Sequence, residues 1–453
     1  MSMPGKFDLH RDTIFALSSG GGRAAIAVVR LSGLGVPNVL SALRVEDRLQ
    51  DRVATLRVLR DPETGEALDR AMVLRFYGPR SFTGEEMAEL HVTGSRAVLK
   101  GVISALGRIA GTRAAEPGEF VWRAFVNGKL DLSEVEGLGD LVNAETAVQR
   151  RQALRTAGGA LTRESQSISA LILDGMSLLE AQIDFSDVED VDLLSLAHAR
   201  SVAWRAQQRI RTILTSSSVA ERVRDGLNVI IAGPPNVGKS TLMNVISKRE
   251  VSIVSASPGT TRDLVEVQLD IRGFPVTLID SAGIRDASDP IEREGVERAR
   301  QRAKNVELQL WLTECGDNST EILNNDTPTI IVETKSDCVP AATNVDQRFD
   351  ENRRIRISAK TGDGIATLLE EIAIFAERSF EGSEGALIST ERQRIAFVDA
   401  DAALNRLLNP KLEAIELAAE ELRAAAHAME RVAGRVNVDD VLESIFSRFC
   451  VGK

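Results

Sequence analysis

The chain has 453 residues, of which 43% are hydrophobic and 27% are charged, so it is long enough to form two or three globular domains. Its formal net charge of −11 argues against a protein that binds nucleic acid unaided, because such binding depends on an excess of lysine and arginine. Its three cysteines (Cys315, Cys338 and Cys450) are too widely spaced for a disulfide framework, and no apolar run is long enough to span a bilayer, so we expect a cytoplasmic protein.

The first part of the chain, residues 1–127, has the pattern of a small α+β domain. The segments "AAIAVVRLSG" and "AMVLRFYG" have the short apolar runs of strands, and "RAVLKGVISALGRIAG" has the period of an amphipathic helix. Residues 128–222 then change to a helical period. Ser133 and Glu136 form a capping-box pattern ahead of Leu138, and one apolar stripe follows at Ile172, Met176, Leu179 and Ile183. The acidic stretch "DFSDVEDVD" lacks the glycine of an EF-hand loop, so we predict a solvated turn there.

Strands alternate with helices between residues 226 and 380. The strand-like segments are "LNVIIAG", "LVEVQLDI", "PVTLID", "ELQLWLT", "PTIIVET" and "RRIRIS", a pattern typical of a mostly parallel sheet covered by helices. Residues 385–453 are again helical, with a capping pattern at Thr390 and Gln393 and a break at Asn409-Pro410. A further apolar stripe runs through Leu412, Ile415, Ala419, Leu422, Ala426, Met429 and Ala433. The pattern predicts one helical domain, built from residues 128–222 and 385–453, with the α/β domain inserted into it.

The segment "GPPNVGKST" matches the P-loop pattern and stands between a predicted strand and a predicted helix, as that motif requires. Backbone N–H groups of such a loop cradle phosphates, Lys239 would reach the β and γ oxygens, and the Ser240 hydroxyl would bind magnesium. The contacting residues predicted in this segment are Asn236, Val237, Gly238, Lys239, Ser240 and Thr241.

Four further segments complete a GTPase pattern. "SPGTTRD" supplies Thr261 for magnesium and the γ-phosphate, "DSAG" supplies Asp280 and Gly283, "TKSD" supplies Asp337, and "SAK" closes over the base. A carboxylate at Asp337 can accept two hydrogen bonds from guanine, and adenine lacks that donor pair, so the predicted nucleotide is GTP. The other predicted contacts are Ser255, Ala256, Ser257, Pro258, Gly259, Thr260, Ser281, Ala282, Thr334, Lys335, Ser336, Ser358, Ala359 and Lys360.

Two positions depart from the common pattern of small GTPases. Thr334 stands where many of them carry asparagine, which leaves its consequence for base affinity open. Ile284 stands where the Ras pattern has a glutamine that orients the attacking water, so water must be positioned in another way. Glu292 is the acidic candidate for that role, and the alternative is an ordinary exposed helix residue.

The sequence resembles the MnmE (TrmE) family of tRNA modification GTPases over essentially its whole length. The resemblance is carried by "GPPN" in the P-loop, "GTTRD", "DSAGIRDASDPIE", "SFTGEEMAELH", "RAFVNGKLDL", "AQIDF" and the terminal "CVGK". It implies a homodimer with a potassium ion in place of an arginine finger. Potassium would be bound by Asn236, Ser255, Ser257 and Thr260, and Glu292 would orient water.

The resemblance also implies chemistry outside the GTPase domain. The N-terminal domain would bind 5-formyl-tetrahydrofolate or a related folate through Arg30, Glu89, Lys129 and Lys453. With a FAD-containing partner of the MnmG type, the protein would modify C5 of the wobble uridine of certain tRNAs, and the partner would hold most of the tRNA. Cys450 would be a reactive thiol at this second site, and the alternative reading is a small buried apolar residue.

Two other functions fit a GTPase of this size: a ribosome-assembly switch and a signalling switch of the Era or Der type. A ribosome-assembly GTPase often carries a KH module with a Gly-x-x-Gly loop. Here the only late match, Gly382 to Gly385, lies in a linker and is followed by helical sequence. Folate binding would separate the first function from both alternatives.

Overall fold

The computed structural model describes residues 12–45, 48–184, 192–249, 266–280, 306–316, 327–338, 354–434, 445–446, 449 and 452. The chain divides into two compact units. The first contains residues 1–139, 162–167 and 426–453, and the second contains residues 140–161 and 168–425. The finer division into ranges 1–127, 128–222, 226–380 and 385–453 stays a prediction.

The described part of the first unit contains a six-stranded sheet in the order β3-β4-β5-β2-β1-β6. Neighbouring strands are antiparallel except for the parallel pair β1 and β6. The strands are β1 (Thr13–Leu17), β2 (Ala24–Ser32), β3 (Thr55–Arg60), β4 (Ala67–Phe76), β5 (Met87–Gly94) and β6 (Thr112–Ala114). Both strand segments predicted from the sequence are therefore confirmed as β2 and β4.

The two faces of this sheet make different contacts. One face packs on helices α1 (Val36–Ala42) and α2 (Arg96–Arg108) through a buried core that includes Leu31, Leu90 and Leu106. Residues paired across the strands share a face, and Arg30, Glu89 and Leu74 lie in one such row on the other face. The predicted amphipathic helix at "RAVLKGVISALGRIAG" is confirmed as α2.

Two further helices, α3 (Glu119–Val126) and α4 (Leu132–Val142), follow β6. The predicted capping box at Ser133 is wrong by two residues. The Asp131 carboxylate accepts a hydrogen bond from the Glu134 amide at 2.9 Å, and the Glu134 carboxylate accepts one from the Asp131 amide at 2.9 Å. The Ser133 hydroxyl lies inside the helix and donates to the carbonyl of Val432 at 2.8 Å, so it is used for tertiary packing.

The described part of the second unit contains another six-stranded sheet, in the order β12-β11-β10-β7-β9-β8. All neighbours are parallel except β8 and β9, which form a hairpin. The strands are β7 (Leu227–Ala232), β8 (Glu266–Ile271), β9 (Phe274–Asp280), β10 (Leu308–Glu314), β11 (Thr329–Thr334) and β12 (Arg354–Arg356). Helices α9 (Lys239–Arg249) and α10 (Ile365–Ser379) accompany it, so the predicted P-loop GTPase-like fold with a mostly parallel sheet is confirmed.

The remaining helices are α5 (Ala147–Ala157), α6 (Ala160–Asp184), α7 (Asp192–Thr215), α8 (Ser217–Asp225), α11 (Glu391–Leu407) and α12 (Ile415–Ala433). As predicted, the Thr390 hydroxyl caps α11 by accepting a hydrogen bond from the Gln393 amide, and Asn409-Pro410 lies between two helices. The predicted solvated turn in the acidic stretch falls on residues 185–191, outside the described part. No helix among the described residues is long and apolar enough to cross a membrane.

The first turn of α5 joins the helices of the second unit to its sheet. Thr146 and Gln149 form a complete capping box, which the sequence reading missed. The Val148 amide donates to the carbonyl of Gly273, in the turn between β8 and β9, at 3.2 Å. The side chain of Gln149 donates through Nε2 to the carbonyl of Arg224, at the end of α8, at 3.1 Å. A cavity of about 360 Å³ lies beside this joint.

A buried ion network fixes the start of α3. The Glu119 carboxylate is 1% exposed and accepts hydrogen bonds from Arg113 at 2.7 and 2.8 Å and from Arg123 at 3.0 Å. Burial alone would raise the pKa of Glu119, but the hydrogen bonds from Arg113 and the Glu116 amide and the nearby arginine charges outweigh it, so the pKa lies below its ordinary value.

We predict that Glu119→Gln lowers the free energy of unfolding of this unit by about 3 kcal/mol at pH 7, because two arginines lose a buried counter-charge. Below about pH 4.3, the ordinary pKa of a glutamic acid, the unfolded chain takes up a proton that native Glu119 does not. The difference between wild type and variant should therefore shrink as the pH falls. Hydrogen exchange of peptides covering α3, in wild type and variant across this pH range, measures the difference in the free energy of unfolding. The matched change Glu63→Gln, on a carboxylate that is 66% exposed, should cost no more than about 1 kcal/mol.

Candidate functional site

The loop between β7 and α9 has the geometry of a phosphate cradle. Gly233 has φ 147°, and a Cβ there would lie 2.4 Å from the carbonyl oxygen of Leu312, so only glycine fits beside β10. The Lys239 ammonium donates to the carbonyls of Gly233 and Pro234 at 2.9 Å each, which holds its charge over the loop. The amide groups at the start of α9 add the partial positive charge of a helix N-terminus.

Two of the predicted magnesium-site residues meet at this loop. The Ser240 hydroxyl donates to the Asp280 carboxylate at 3.1 Å, and Asp280 is 4% exposed at the end of β9. β7 and β9 are parallel neighbours, so their carboxyl ends place both side chains at the same edge of the sheet. A hydroxyl and a carboxylate are hard oxygen ligands, which suits Mg²⁺.

Thr334 has a role that the sequence reading did not recognise. Its buried hydroxyl lies 2.8 Å from the carbonyl oxygen of Val237 and 3.2 Å from that of Thr313. It therefore connects the end of β11, which leads to the base-recognition segment, with the P-loop and β10. The sequence showed only that threonine stands here in place of asparagine. It could not show the partner of the hydroxyl, Val237, which lies 97 residues away.

The two predicted base-recognition segments lie together. The Asp337 carboxylate, in a short 3-10 turn at Ser336–Cys338, accepts a hydrogen bond from the Ser358 hydroxyl at 2.8 Å. The Ser336 amide donates to the carbonyl of Ile357 at 3.1 Å, so backbone contacts also join the segments. The hydrogen bond from Ser358, assisted by the charge of Lys360, holds the pKa of Asp337 below its ordinary value. An ionised carboxylate is the acceptor that guanine recognition requires.

Several predicted nucleotide-site residues lie outside the described part of the chain. These are the switch residues 255–261, the residues Ser281, Ala282 and Gly283, and Glu292. Cys450 and Lys453 of the predicted second site lie outside it as well. The roles of all these residues stay predictions.

The first unit brings Arg30 and Glu89, two of the predicted folate-site residues, into direct contact. Arg30 donates to the Glu89 carboxylate through Nη2 at 3.0 Å and Nε at 3.2 Å. A ring nitrogen of His91 lies 3.2 Å from the other Glu89 oxygen. The Arg30 guanidinium also lies 5.7 Å from the ring centre of Phe82 and 5.8 Å from that of Phe120. Arg30 is thus held by a carboxylate and two aromatic rings, an arrangement that the sequence reading did not foresee.

Lys129 is joined to the same surface loop as Phe82. Its ammonium donates to the carbonyl of Pro79 at 3.0 Å, and the neighbouring Asn127 side chain donates to the carbonyl of Thr83 at 2.7 Å. The loop of residues 79–85 therefore carries Phe82 beside Arg30 and Thr83 beside the segment of Lys129. The structure does not place Lys129 in contact with Arg30 or Glu89.

The C-terminal residues pack back onto the first unit. Phe446 and Phe449 belong to an apolar cluster with Trp122 and Leu132. Gly452 has φ 100°, and its carbonyl accepts a hydrogen bond from the Ser18 hydroxyl, just after β1, at 2.8 Å. A Cβ at Gly452 would lie 2.3 Å from the carbonyl oxygen of Leu17. Residue 452 therefore lies at the end of the strand that pairs with β2, which carries Arg30.

Comparison with known proteins matches the chain over nearly its full length. The family model described as the MnmE helical domain matches residues 132–450, and the model described as the GTP-binding protein TrmE N-terminus matches residues 13–129. The tRNA modification GTPase MnmE of Bradyrhizobium sp. (strain ORS 278) is 48% identical over 98% of this chain and 99% of its own length. The protein of the same name from Beijerinckia indica is 46% identical over 98% of this chain and 96% of its own length.

Among solved structures, the G domain of the T. maritima FeoB iron transporter covers 33% of this chain and 98% of its own chain, at 22% identity and a TM-score of 0.23.

We predict that Asp337→Asn lowers the affinity for GTP by about 10²- to 10⁴-fold, because two hydrogen bonds from guanine to a charged acceptor are lost. Affinity for XTP should rise, since a carboxamide can donate to the additional carbonyl of xanthine. Competition titrations with a fluorescent GTP analogue measure both. The nearby control Asp363→Asn removes the same charge from a carboxylate that accepts from Thr361, and it should change affinity by less than about threefold. An unchanged preference for GTP in the Asp337 variant would contradict the assignment.

Proposed function

Because the chain belongs to the MnmE family of tRNA modification GTPases, we propose that it couples GTP hydrolysis to modification of the wobble uridine of certain tRNAs at C5. The observation that carries the nucleotide part is the meeting of Lys239, Ser240 and Asp280 at one edge of the sheet. Hydrolysis of GTP would drive rearrangement of the domains and would not itself supply the chemistry at uridine. We place the protein in the cytoplasm, where its tRNA substrates are made.

The residues present fit a magnesium ion and a potassium ion. Ser240 and Asp280 would lie in the magnesium shell together with Thr261, and these oxygens would neutralise charge on the phosphates. Asn236 lies in the P-loop with φ 62°, and its side-chain oxygen would bind potassium with Ser255, Ser257 and Thr260. Potassium would stabilise the charge that develops between the phosphates, in the role that an arginine finger has elsewhere. Glu292 would orient water.

The first unit fits a folate through its cation, its carboxylate and its aromatic rings. Glu89 fixes Arg30 and is itself an acceptor suited to the pterin N–H groups, and the partly exposed ring of Phe82 offers an apolar surface beside Arg30, while the buried Phe120 ring only supports the guanidinium. Lys129 and Lys453 would bind the folate carboxylates. The tail would bring Cys450 to this pocket, since Phe449 and Gly452 on either side of it are anchored to the first unit.

Two partners belong to this function. The face of the first sheet that carries Arg30 also exposes Leu56, Val58 and Met72, and an exposed apolar patch of this kind supports a homodimer through that face. A flavoprotein of the MnmG type would supply redox chemistry and hold most of the tRNA. The alternative, a switch GTPase without a folate site, leaves the fixed arginine and the anchored tail without a role.

The overall function is tested by nucleoside analysis of tRNA from a strain that lacks its own family member and expresses this chain. Restored modification at C5 of the wobble uridine is the expected result. Restored GTP turnover without the modified nucleoside would favour the switch function.

We predict that potassium stimulates GTP turnover and that sodium does so poorly, because the oxygen cage must match the size of the ion. Asn236→Ala should lower the potassium-stimulated rate at least about tenfold with little effect on GTP affinity. Alanine at φ 62° also costs about 1–2 kcal/mol of backbone strain. Asn236→Gly is therefore the matched variant, since it removes the oxygen without that strain. Stimulation that survives in the glycine variant would exclude Asn236 as a ligand.

A second prediction concerns the tail. Gly452→Ala would place a methyl group 2.3 Å from the Leu17 carbonyl at φ 100°, so the tail must leave its position. We expect affinity for 5-formyl-tetrahydrofolate to fall at least about tenfold and tRNA modification to be lost, while GTP turnover stays within about twofold of wild type. Titration calorimetry and nucleoside analysis measure these effects. Gly21→Ala is the control, because a Cβ at Gly21 has nothing within 4 Å. Normal folate affinity in the Gly452 variant would remove the tail from the site.

A further inference from the structure

Helix α5 is basic in an acidic protein. Its sequence, AVQRRQALRTA, contains three arginines and no acidic residue. The whole chain carries 66 aspartates and glutamates against 55 lysines and arginines, so a polyanion would be repelled by most of its surface. The charge of α5 is therefore positive, opposite in sign to the net charge of the protein.

The arginines all lie on the outer face of α5. Val148, Gln152, Ala153 and Thr156 form the buried face, while Arg150, Arg151, Leu154 and Arg155 are exposed. With 3.6 residues per turn, Arg150 lies on one side of Leu154, and Arg151 and Arg155 lie on the other. Leu154 is 52% exposed. We call these four exposed residues the α5 basic face.

Within the described part of the chain, no carboxylate neutralises the positive charges of this face. Arg150, Arg151 and Arg155 form no ion pair with any residue that the structure describes, and no carboxylate stands three or four residues away within the helix. Three other arginines at the surface of the same unit do have carboxylate partners. Arg394 pairs with Glu391, Arg406 with Glu421 at 2.8 Å, and Arg423 with Glu420 at 3.3 Å.

We propose that the α5 basic face binds the phosphate backbone of the tRNA substrate directly. The proposal rests on the proposed function, which makes tRNA the substrate, and goes beyond it by giving this chain a contact surface of its own. Guanidinium groups are suited to phosphate oxygens, and arginine–phosphate contacts supply sequence-independent affinity. The face offers only one large apolar side chain, the half-exposed Leu154, whereas the fully buried centre of a protein interface is mostly apolar.

The first turn of α5 contacts the segments from which two strands of the GTPase sheet begin. The first turn of the helix is hydrogen-bonded to Gly273, between β8 and β9, and to Arg224, just before β7. β7 leads into the P-loop, and β9 ends at Asp280. RNA bound to α5 would therefore lie on a helix that is hydrogen-bonded to the segments just before β7 and β9.

The test is binding of a fluorescently labelled, unmodified tRNA transcript to the full chain, measured by anisotropy between 50 and 200 mM salt. The variant Arg150→Gln, Arg151→Gln, Arg155→Gln keeps helix propensity nearly unchanged, because glutamine and arginine are close on that scale. In this variant we expect the plot of the log of the association constant against log salt concentration to be less steep by about 3. The affinity near 100 mM salt should fall at least about tenfold. The corresponding triple lysine variant should keep the slope.

The matched control is Arg394→Gln, Arg406→Gln, Arg423→Gln, which changes the net charge equally but removes guanidinium groups that are already paired with carboxylates. It should leave the slope unchanged. Three results would overturn the proposal: no binding of tRNA by the wild-type chain at 50 mM salt, an equal slope in wild type and the α5 variant, or an equal loss in the control variant. An α5 variant that binds tRNA normally but no longer binds the flavoprotein would assign the face to a protein partner instead.

Failure of the proposed function has a different signature. In that case the wild-type chain would not restore the modified nucleoside in the deletion strain, whatever its affinity for tRNA. If the wild type restores modification and the α5 variant binds tRNA with the wild-type slope, the function stands and the α5 contact is wrong. GTP turnover without tRNA should be equal in wild type and the α5 variant, since none of the three arginines contacts a described residue of the nucleotide site.

Discussion

The parallel pairing of β7 with β9 and β10, and of β10 with β11, is the constraint on which the nucleotide site depends. Parallel strands bring their carboxyl ends to one edge, so the P-loop after β7, Asp280 at the end of β9 and the base-recognition turn after β11 all meet there. The near-continuous apolar runs of these strands suit a parallel sheet that is covered on both faces. The hydroxyl of Thr334 then ties the turn after β11 to the P-loop carbonyl of Val237.

That constraint explains why a single hydroxyl can replace an asparagine at this position. The position at the end of β11 needs a buried hydrogen-bond donor that reaches the P-loop. The Thr334 hydroxyl is such a donor, at 2.8 Å from the carbonyl oxygen of Val237. The predicted guanine contact is Asp337, which accepts a hydrogen bond from the Ser358 hydroxyl at 2.8 Å. The hydrogen bond to the P-loop and the predicted contact to the base are thus carried by different side chains.

The fold and the nucleotide site were largely predictable from sequence because their determinants are local. A strand such as β10 is recognised from its own apolar run, and the loop before α9 from its own glycines and lysine. What sequence did not reveal depends on partners far along the chain. Ser133 matched a capping pattern as well as Asp131 does, but its hydroxyl bonds to Val432, 299 residues away. The glycine at 452 is required by the approach of Leu17, which no local pattern records. The pairing of Arg30 with Glu89 depends in the same way on the register of β2 and β5.

The net charge of such a protein predicts its binding of nucleic acid only when the charges are assigned to individual surfaces. A total of −11 argues against a chain covered with phosphate contacts, but it averages over helices that differ in the sign of their charge. At a Debye length of about 8–10 Å, a phosphate near α5 responds to the arginines of that helix and is screened from carboxylates on distant faces. Arginines such as Arg406 add to the total and yet present little free charge, because Glu421 neutralises them. The same total is therefore compatible with one basic contact surface, provided that its charges have no partners within the fold.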